Sequence, residues 1–208
     1  MARNTGPVCR LCRRLGDKLY LKGEKCFTPK CAFERRPYAP GQRSQRRRKV
    51  SDRGLQLREK QKARAVYGIL EAQFSRYYKE AVRRHGITGE NLMRTLELRL
   101  DNLVYRLGFA DSRAQARQVV LHGHIAVNGR KSAIPSHVLK TGDVVGWTQR
   151  GRKSRYFEMV SGGVASKSVP SWLGLDVQEM AGRVLALPEV AEIDTKFSPA
   201  TIVEFYSR

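Results

Sequence analysis

The sequence predicts an α+β fold, mainly helical, and three observations predict it. Apolar residues recur at helical spacing from residue 51 to about 121. Between about 125 and 147, short apolar runs are punctuated by the turn pairs Asn128-Gly129 and Gly142-Asp143. All four cysteines fall within the first 31 of 208 residues, so that end is organised by its thiols rather than by a core of its own. A hydrophobic content of 41% suffices for a core and argues against wholesale disorder. No apolar run approaches the ~18 residues of a membrane span. The opening Met-Ala-Arg-Asn-Thr-Gly-Pro lacks the apolar stretch of a signal peptide.

Cys9 and Cys12 form a Cys-x2-Cys pair, and thirteen residues later Cys26 and Cys31 form a Cys-x4-Cys pair. Two tight pairs closed by a loop supply four soft ligands, the donor set of one structural zinc ion. Two disulfides are the main alternative and need an oxidising compartment. An iron–sulfur cluster is a further one, although a basic binding domain offers it no obvious electron-transfer partner. Seven basic residues lie between Cys9 and Cys31: Arg10, Arg13, Arg14, Lys18, Lys22, Lys25 and Lys30. They offset the charge of four thiolates on one dication. Four protein ligands leave no open position for a catalytic water, so such a metal pins a basic segment too short to build a core.

Residues 51–66 read as a helix, with Ser51 as N-cap and Gly68 beyond its end. Leu55, Leu57, Ala63 and Val66 supply its apolar content, and Arg53, Arg58, Lys60, Lys62 and Arg64 its basic face. A second helix covers about 71–84, with Phe74, Tyr77, Tyr78, Ala81 and Val82 on its apolar side and Gly86 closing it. Aromatics at this spacing are more often core than base-stacking surface. A third helix begins after Thr88, where Leu92, Leu96, Leu100, Leu103 and Leu107 make one helical stripe. Ser112 and Gln115 form a capping box that starts a helix at 113. On that helix Arg113 and Arg117, four apart, share a stripe expected to face solvent. Gly123 stops it, Ile125–Val127 is a short strand, and a strand pair returns over about 138–147. His122 and His124 invite a metal or acid–base reading. No carboxylate or third ligand lies near them in sequence and no His-Glu-x-x-His spacing exists, so backbone or phosphate contact is the default. Near 170–176 and 183–188 two further strands suggest a hairpin, with Trp172 in a core. Ser198-Pro199 caps a terminal helix through Phe205.

The net charge of +21 is graded along the chain. Residues 1–50 are net +12, 51–100 net +5, 101–150 net +4, and 151–208 neutral. The densest run, Arg43, Arg46, Arg47, Arg48 and Lys49, contains no apolar residue, and no acid lies between Glu34 and Asp52. A solubilising surface mixes both signs, so this distribution points to a polyanion. Arginine's planar fork suits bidentate phosphate contact.

The stretch RLDNLVYRLGFA followed by SRAQARQVVLHGHIAVNG resembles the small RNA-binding module named after the ribosomal S-four family, a helix pair plus a β-turn unit. Several RNA-modifying and tRNA-charging enzymes carry that module, so alone it implies only RNA binding. The segments GPVCRLCRR, YLKGEKC, RRPYAPGQ and IVEFYSR extend the similarity, in order, over almost the whole chain to the bacterial small-subunit S-four family. The four cysteines match its zinc-binding version. One departure is Arg43-Ser44, where the family commonly shows His-Gly.

The resemblance implies a zinc knuckle and basic arm over 1–45 and a helical domain over 46–98 completed by 166–208. The RNA-binding module, over 99–165, is then an insertion. It implies a structural constituent of the small ribosomal subunit, not an enzyme, located in the cytoplasm within the ribosome. Members bind the 5′ domain of 16S ribosomal RNA early in assembly. They lie beside the channel through which mRNA enters, next to proteins S-three and S-five, and contribute to translational accuracy. The metal ligands expected are Cys9, Cys12, Cys26 and Cys31. The RNA contacts expected in the N-terminal half are Arg3, Arg10, Arg13, Arg14, Lys22, Arg35, Arg36, Arg43, Arg46, Arg47, Arg48, Lys49, Arg53, Arg58, Lys60, Lys62 and Arg64. In the module they are Arg113, Gln115, Arg117, His122, His124, Asn128, Arg130 and Lys131, with Arg113→Ala and Arg117→Ala each weakening RNA binding without unfolding.

Two other classes fit less well. A pseudouridine synthase needs a catalytic domain well over ~100 residues long, and only about 45 residues follow the module. No phosphate-binding loop, nucleophile elbow or dinucleotide fingerprint occurs in the sequence. A zinc-containing DNA regulator concentrates its charge on one recognition helix, whereas this charge spans about 150 residues.

Overall fold

The helix boundaries have local chemical causes. The computed structural model describes residues 4–42, 49–193 and 196–207. α1 (Val8–Leu15) stops at Gly16, whose left-handed φ of 79° lets its amide close on the Cys12 carbonyl. A 3₁₀ turn (Gly23–Phe27) and the short α2 (Ala32–Arg35) carry the other cysteine pair. α3 (Asp52–Tyr67) begins where the Ser51 hydroxyl accepts the Gly54 amide at 3.2 Å, and ends at Gly68. α4 (Glu71–Arg83) follows.

The leucine stripe predicts one continuous helix, and the chain breaks it in two. α5 (Thr88–Glu97) and α6 (Leu100–Arg106) are separated by Arg99, whose backbone is extended and bridges Val138. The Leu100 amide donates to His137 and the Leu139 amide to Leu98, so a long-range backbone contact outweighs the local helical preference. All five stripe leucines are nevertheless buried. α7 (Arg113–Leu121) starts at the expected capping box: Ser112 accepts the Gln115 amide, and the Gln115 side chain accepts the Asp111 amide at 2.9 Å.

The remaining elements are β1 (Ile125–Val127), β2 (Arg130–Lys131), β3 (Val144–Trp147), α8 (Gln149–Arg152), α9 (Arg155–Ser161), β4 (Leu173–Asp176), β5 (Ala181–Val184) and α10 (Pro199–Tyr206). One antiparallel sheet runs in the order β2-β1-β3-β5-β4. The strand pair expected over 138–147 reduces to β3 and the single bridge at Val138.

The chain divides into two units, residues 1–93 with 194–208, and residues 94–193. The sequence reading assigns the hairpin after residue 166 to the helical domain, and this is corrected. β5 pairs with β3 through Val144↔Arg183 and Val145↔Gly182. Trp172, Leu173, Met180 and Val184 join Leu100, Phe109, Ile125 and Trp147 in one apolar cluster. Gly182 permits the fit, since a Cβ there would collide with Leu107. The hairpin is therefore part of the module's own core, and Trp172 is buried as expected.

In the other unit α10 packs on α3. Leu55 and Leu57 are exposed, contrary to the expected apolar face, and Gln56, Lys60, Ala63 and Tyr67 are buried instead. Partners distant in sequence explain it. Gln56 donates to Glu204 at 3.1 Å, Lys60 to Glu71 at 2.9 Å, and the Tyr206 hydroxyl to Glu71 at 2.6 Å. Tyr78 stacks on Tyr206 at 4.5 Å, and Lys60 Nζ lies 4.3 Å from the Phe205 ring centre. Burial alone would raise the Glu71 carboxyl. The hydrogen bonds from Tyr206 and Lys60, with the charges of Lys60 and Arg64, reverse this and hold it below its ordinary value.

Candidate nucleic-acid interface

Basic side chains fall into two groups, those available to an outside anion and those spent on internal partners. In the first unit Arg10 and Arg14 on α1 are exposed, as are Lys22, Arg35, Arg36, Lys49, Arg53 and Arg58. Arg13 is half-buried; its Nε donates to the Tyr38 carbonyl at 2.9 Å and its guanidinium lies over the Tyr38 ring. Arg3, Arg43, Arg46, Arg47 and Arg48 lie outside the described residues, as does the Arg43-Ser44 departure. Sequence reasoning missed Arg76, Lys79 and Arg83, which are exposed on α4. Their spacing of three and four residues, offset from buried Phe74, Tyr77 and Ala81, was the available signal.

In residues 94–193, Arg130 and Lys131 are exposed on β2, after the tight turn at Asn128-Gly129, and His122 is exposed beyond α7. Arg150, Lys153 and Arg155, within and beside α8, are exposed and were also missed, as was Arg152, which is exposed but donates to the Glu179 carbonyl at 2.9 Å; the run RGRKSR was the signal. The loop before β1 is fixed to α8 by Thr148. Its hydroxyl donates to the Gly123 carbonyl at 3.1 Å, its amide donates to the His124 carbonyl at 2.8 Å, and its hydroxyl also caps α8. Gly151 allows this approach, because a Cβ there would stand 2.5 Å from the His124 carbonyl oxygen. Burial, then the charges of His122 and Arg150, push the His124 imidazole below its ordinary value, favouring its neutral form.

Several expected contacts are engaged internally. Lys62 pairs with Asp17 and Glu59, and Arg64 with Glu71 at 2.8 Å. Lys60 is buried against Glu71. Gln115 is the second half of the capping box. Asn128 sits at a left-handed φ of 50°, accepts the Val144 amide and donates to Asp143, so it builds the hairpin turn. The expectation that Arg113 and Arg117 share a solvent-facing stripe is corrected. Arg117 is buried and contacts Asp101 at 2.9 Å, as does Arg99 at 2.6 Å. Arg113 is half-buried, donates to Asn102 at 2.7 Å and lies over the Tyr105 ring. Glu97 at the end of α5 and Asp101 on α6 attract this face inward.

The four thiols are free of disulfides; Cys12, Cys26 and Cys31 are buried and Cys9 is half-buried. All four line one cavity with Val8, Leu21 and Phe33, and the Lys22 amide donates to Cys26 Sγ at 3.3 Å. The donor chemistry suits zinc. Among the described residues, however, no three His, Cys, Asp or Glu side chains form a metal-holding group, so the thiols share a cavity without closing into a cage.

A family model described as ribosomal protein S4/S9 N-terminal domain matches residues 3–97, and one described as S4 domain matches residues 98–145. Small ribosomal subunit protein uS4 of Heliobacterium modesticaldum is 59% identical over 208 residues, the full length of both chains. The chain belongs to the uS4 family. The uS4 proteins of Pelotomaculum thermopropionicum and Acetivibrio thermocellus are 55% and 54% identical, again over the full length of both chains. The uS4 family consists of ribosomal structural proteins, not enzymes. In this uS4 chain the S4-domain match ends inside β3, and the sheet continues beyond it through β5 and β4.

Proposed function

We propose that this uS4 chain is a structural constituent of the small ribosomal subunit that binds ribosomal RNA through the phosphates of a folded junction. The observation that carries the reading is the spread of exposed basic side chains over α1, α3, α4, β2 and α8, with no single recognition helix. The contacts are Arg10, Arg14, Lys22, Arg35, Arg36, Lys49, Arg53, Arg58, Arg130 and Lys131, joined by the basic residues of α4 and α8. His122 and the neutral His124 supply hydrogen bonds rather than fixed charge.

The finer reading follows the family. The RNA is the 5′ domain of 16S ribosomal RNA, bound early so that the junction geometry is set for later assembly. The site borders the channel through which mRNA enters, beside S-three and S-five, and its rigidity contributes to translational accuracy. The setting is the cytoplasm, within the ribosome. One zinc ion held by Cys9, Cys12, Cys26 and Cys31 supplies structural cross-linking, drawing α1 and the 3₁₀ turn together so that the basic arm has a fixed base.

The test is competition at matched salt between a 5′-domain transcript carrying its junction and duplex DNA of equal length. Preference for the transcript is expected, with affinity falling about 10³–10⁵-fold between about 50 and 200 mM salt, as for ~6–10 phosphate contacts. Equal binding of both nucleic acids, or a shallow salt dependence, overturns the reading.

A further inference from the structure

Phe27 is the most exposed large apolar side chain among the described residues, at 74%. It closes the 3₁₀ turn directly after Cys26. Its ring stacks on Tyr20 with centroids 4.9 Å apart and planes 27° apart. One face of Phe27 is thus covered by an aromatic neighbour, and exposure this high leaves the opposite face to solvent. Tyr20 itself holds an unusual backbone, with φ at +52°, between buried Leu19 and the turn that carries Phe27. Lys18 and Lys196 lie over the Tyr20 ring at 5.2 and 5.1 Å. Exposed Lys22, Lys25 and Lys30 flank the turn, with Glu24 inside it and Glu34 paired to Lys18.

A single exposed aromatic ring has no claim on a partner. This one differs in being backed by a second ring and surrounded by cations. We infer that Tyr20 and Phe27 form a stacking platform for one unpaired RNA base, with the surrounding lysines holding its flanking phosphates. The inference rests on the RNA-binding reading above and assigns a base contact to a surface otherwise argued only from charge. Unpaired bases present a π-face whatever their identity, so the platform selects single-stranded geometry rather than sequence. The basic surroundings favour a nucleotide over an apolar peptide side chain.

The experiment uses the full chain and two substitutions at one position. The F27W variant is titrated with oligouridylate and with an RNA duplex of equal phosphate number. Trp147 and Trp172 are buried and give a constant background. Fluorescence quenching by oligouridylate in excess of that by duplex is expected; no quenching, or equal quenching, overturns the platform. In parallel the F27A variant is measured on the 5′-domain transcript. A loss of about 5-fold or more with an unchanged salt slope is expected, because stacking carries no charge. Unchanged affinity, or a loss that comes with a reduced slope, overturns it. If the unaltered chain shows no preference for the transcript while the F27W arm succeeds, the ribosomal RNA reading fails and the platform stands.

Discussion

Residues 94–193 bury a continuous apolar cluster that runs from Leu98 to Val184, and they carry 14 basic and 9 acidic side chains, net +5. Residues 1–93 with 194–208 carry 26 and 10, net +16, and bury Gln56 and Lys60 in a helix–helix contact. The first of these regions removes hydrocarbon from water and also buries an ion network, with Arg99 and Arg117 on Asp101 and Arg106 on Glu97. The second also buries apolar side chains, among them Phe74, Leu92, Met93 and Ile202, and adds ion pairs, hydrogen bonds and stacked rings between residues far apart in sequence. Both units thus combine apolar burial with buried charge; they differ in net charge and in whether the paired residues are near or far apart in sequence.

Three perturbations sharpen the contrast. The largest effect is expected from a strong chelator on zinc-loaded protein, since structural zinc in small motifs contributes on the order of 10 kcal/mol. Hydrogen exchange should show lost protection around residues 8–35 and none in 94–193. Protection unchanged in both regions removes the thiols from the account of the first unit.

Next comes Asp101→Ala, which removes the carboxylate that the buried guanidiniums of Arg99 and Arg117 share. A loss of about 3–5 kcal/mol in denaturant unfolding is expected, confined to the 94–193 unit. Arg117→Ala shares its direction, so its effect on RNA binding is to be read only after correcting for stability. A neutral Asp101→Ala would mean that apolar burial alone carries that unit.

The smallest effect is expected from Glu71→Gln, about 1 kcal/mol, because the carboxylate is partly solvated. The Glu71 carboxyl is held below its ordinary value in the folded state. Its contribution is therefore full above the unfolded glutamate value of about 4.3 and fades as pH falls through the lower folded value. The stability difference between parent and variant should shrink in that acid window. A difference independent of pH would assign the effect to the shape of the side chain.

Much of this fold is written in short-range signals. The Ser112–Gln115 capping box, the Ser51 cap, the Asn128-Gly129 turn and the Ser198-Pro199 start all act within four residues and stand where the sequence puts them. What escapes is set by partners far along the chain. The break at Arg99 needs Val138. The polar buried face of α3 needs Glu204, more than a hundred residues later. The interface follows the same division. Exposure of Arg10 and Arg130 is legible because no acid lies near either in sequence, whereas Arg117 turns inward to an aspartate that only the packing of α6 on α7 brings close. The four thiols are legible as a set of donors and the exposed ring of Phe27 is not, because a ring beside a cysteine looks like core until its exposure is known.

The packing of α10 on α3 has a consequence for the order of events as the chain is made. Residues 94–193 are continuous in sequence, so that unit holds all its strands and helices once residue 193 has emerged. The other unit is split: Glu71 and Gln56 wait for Tyr206 and Glu204, which follow residue 193. Domains usually mature in the order of translation. Here residues 94–193 have all their own elements before residues 1–93 have theirs, since α3 meets α10 only after residue 193.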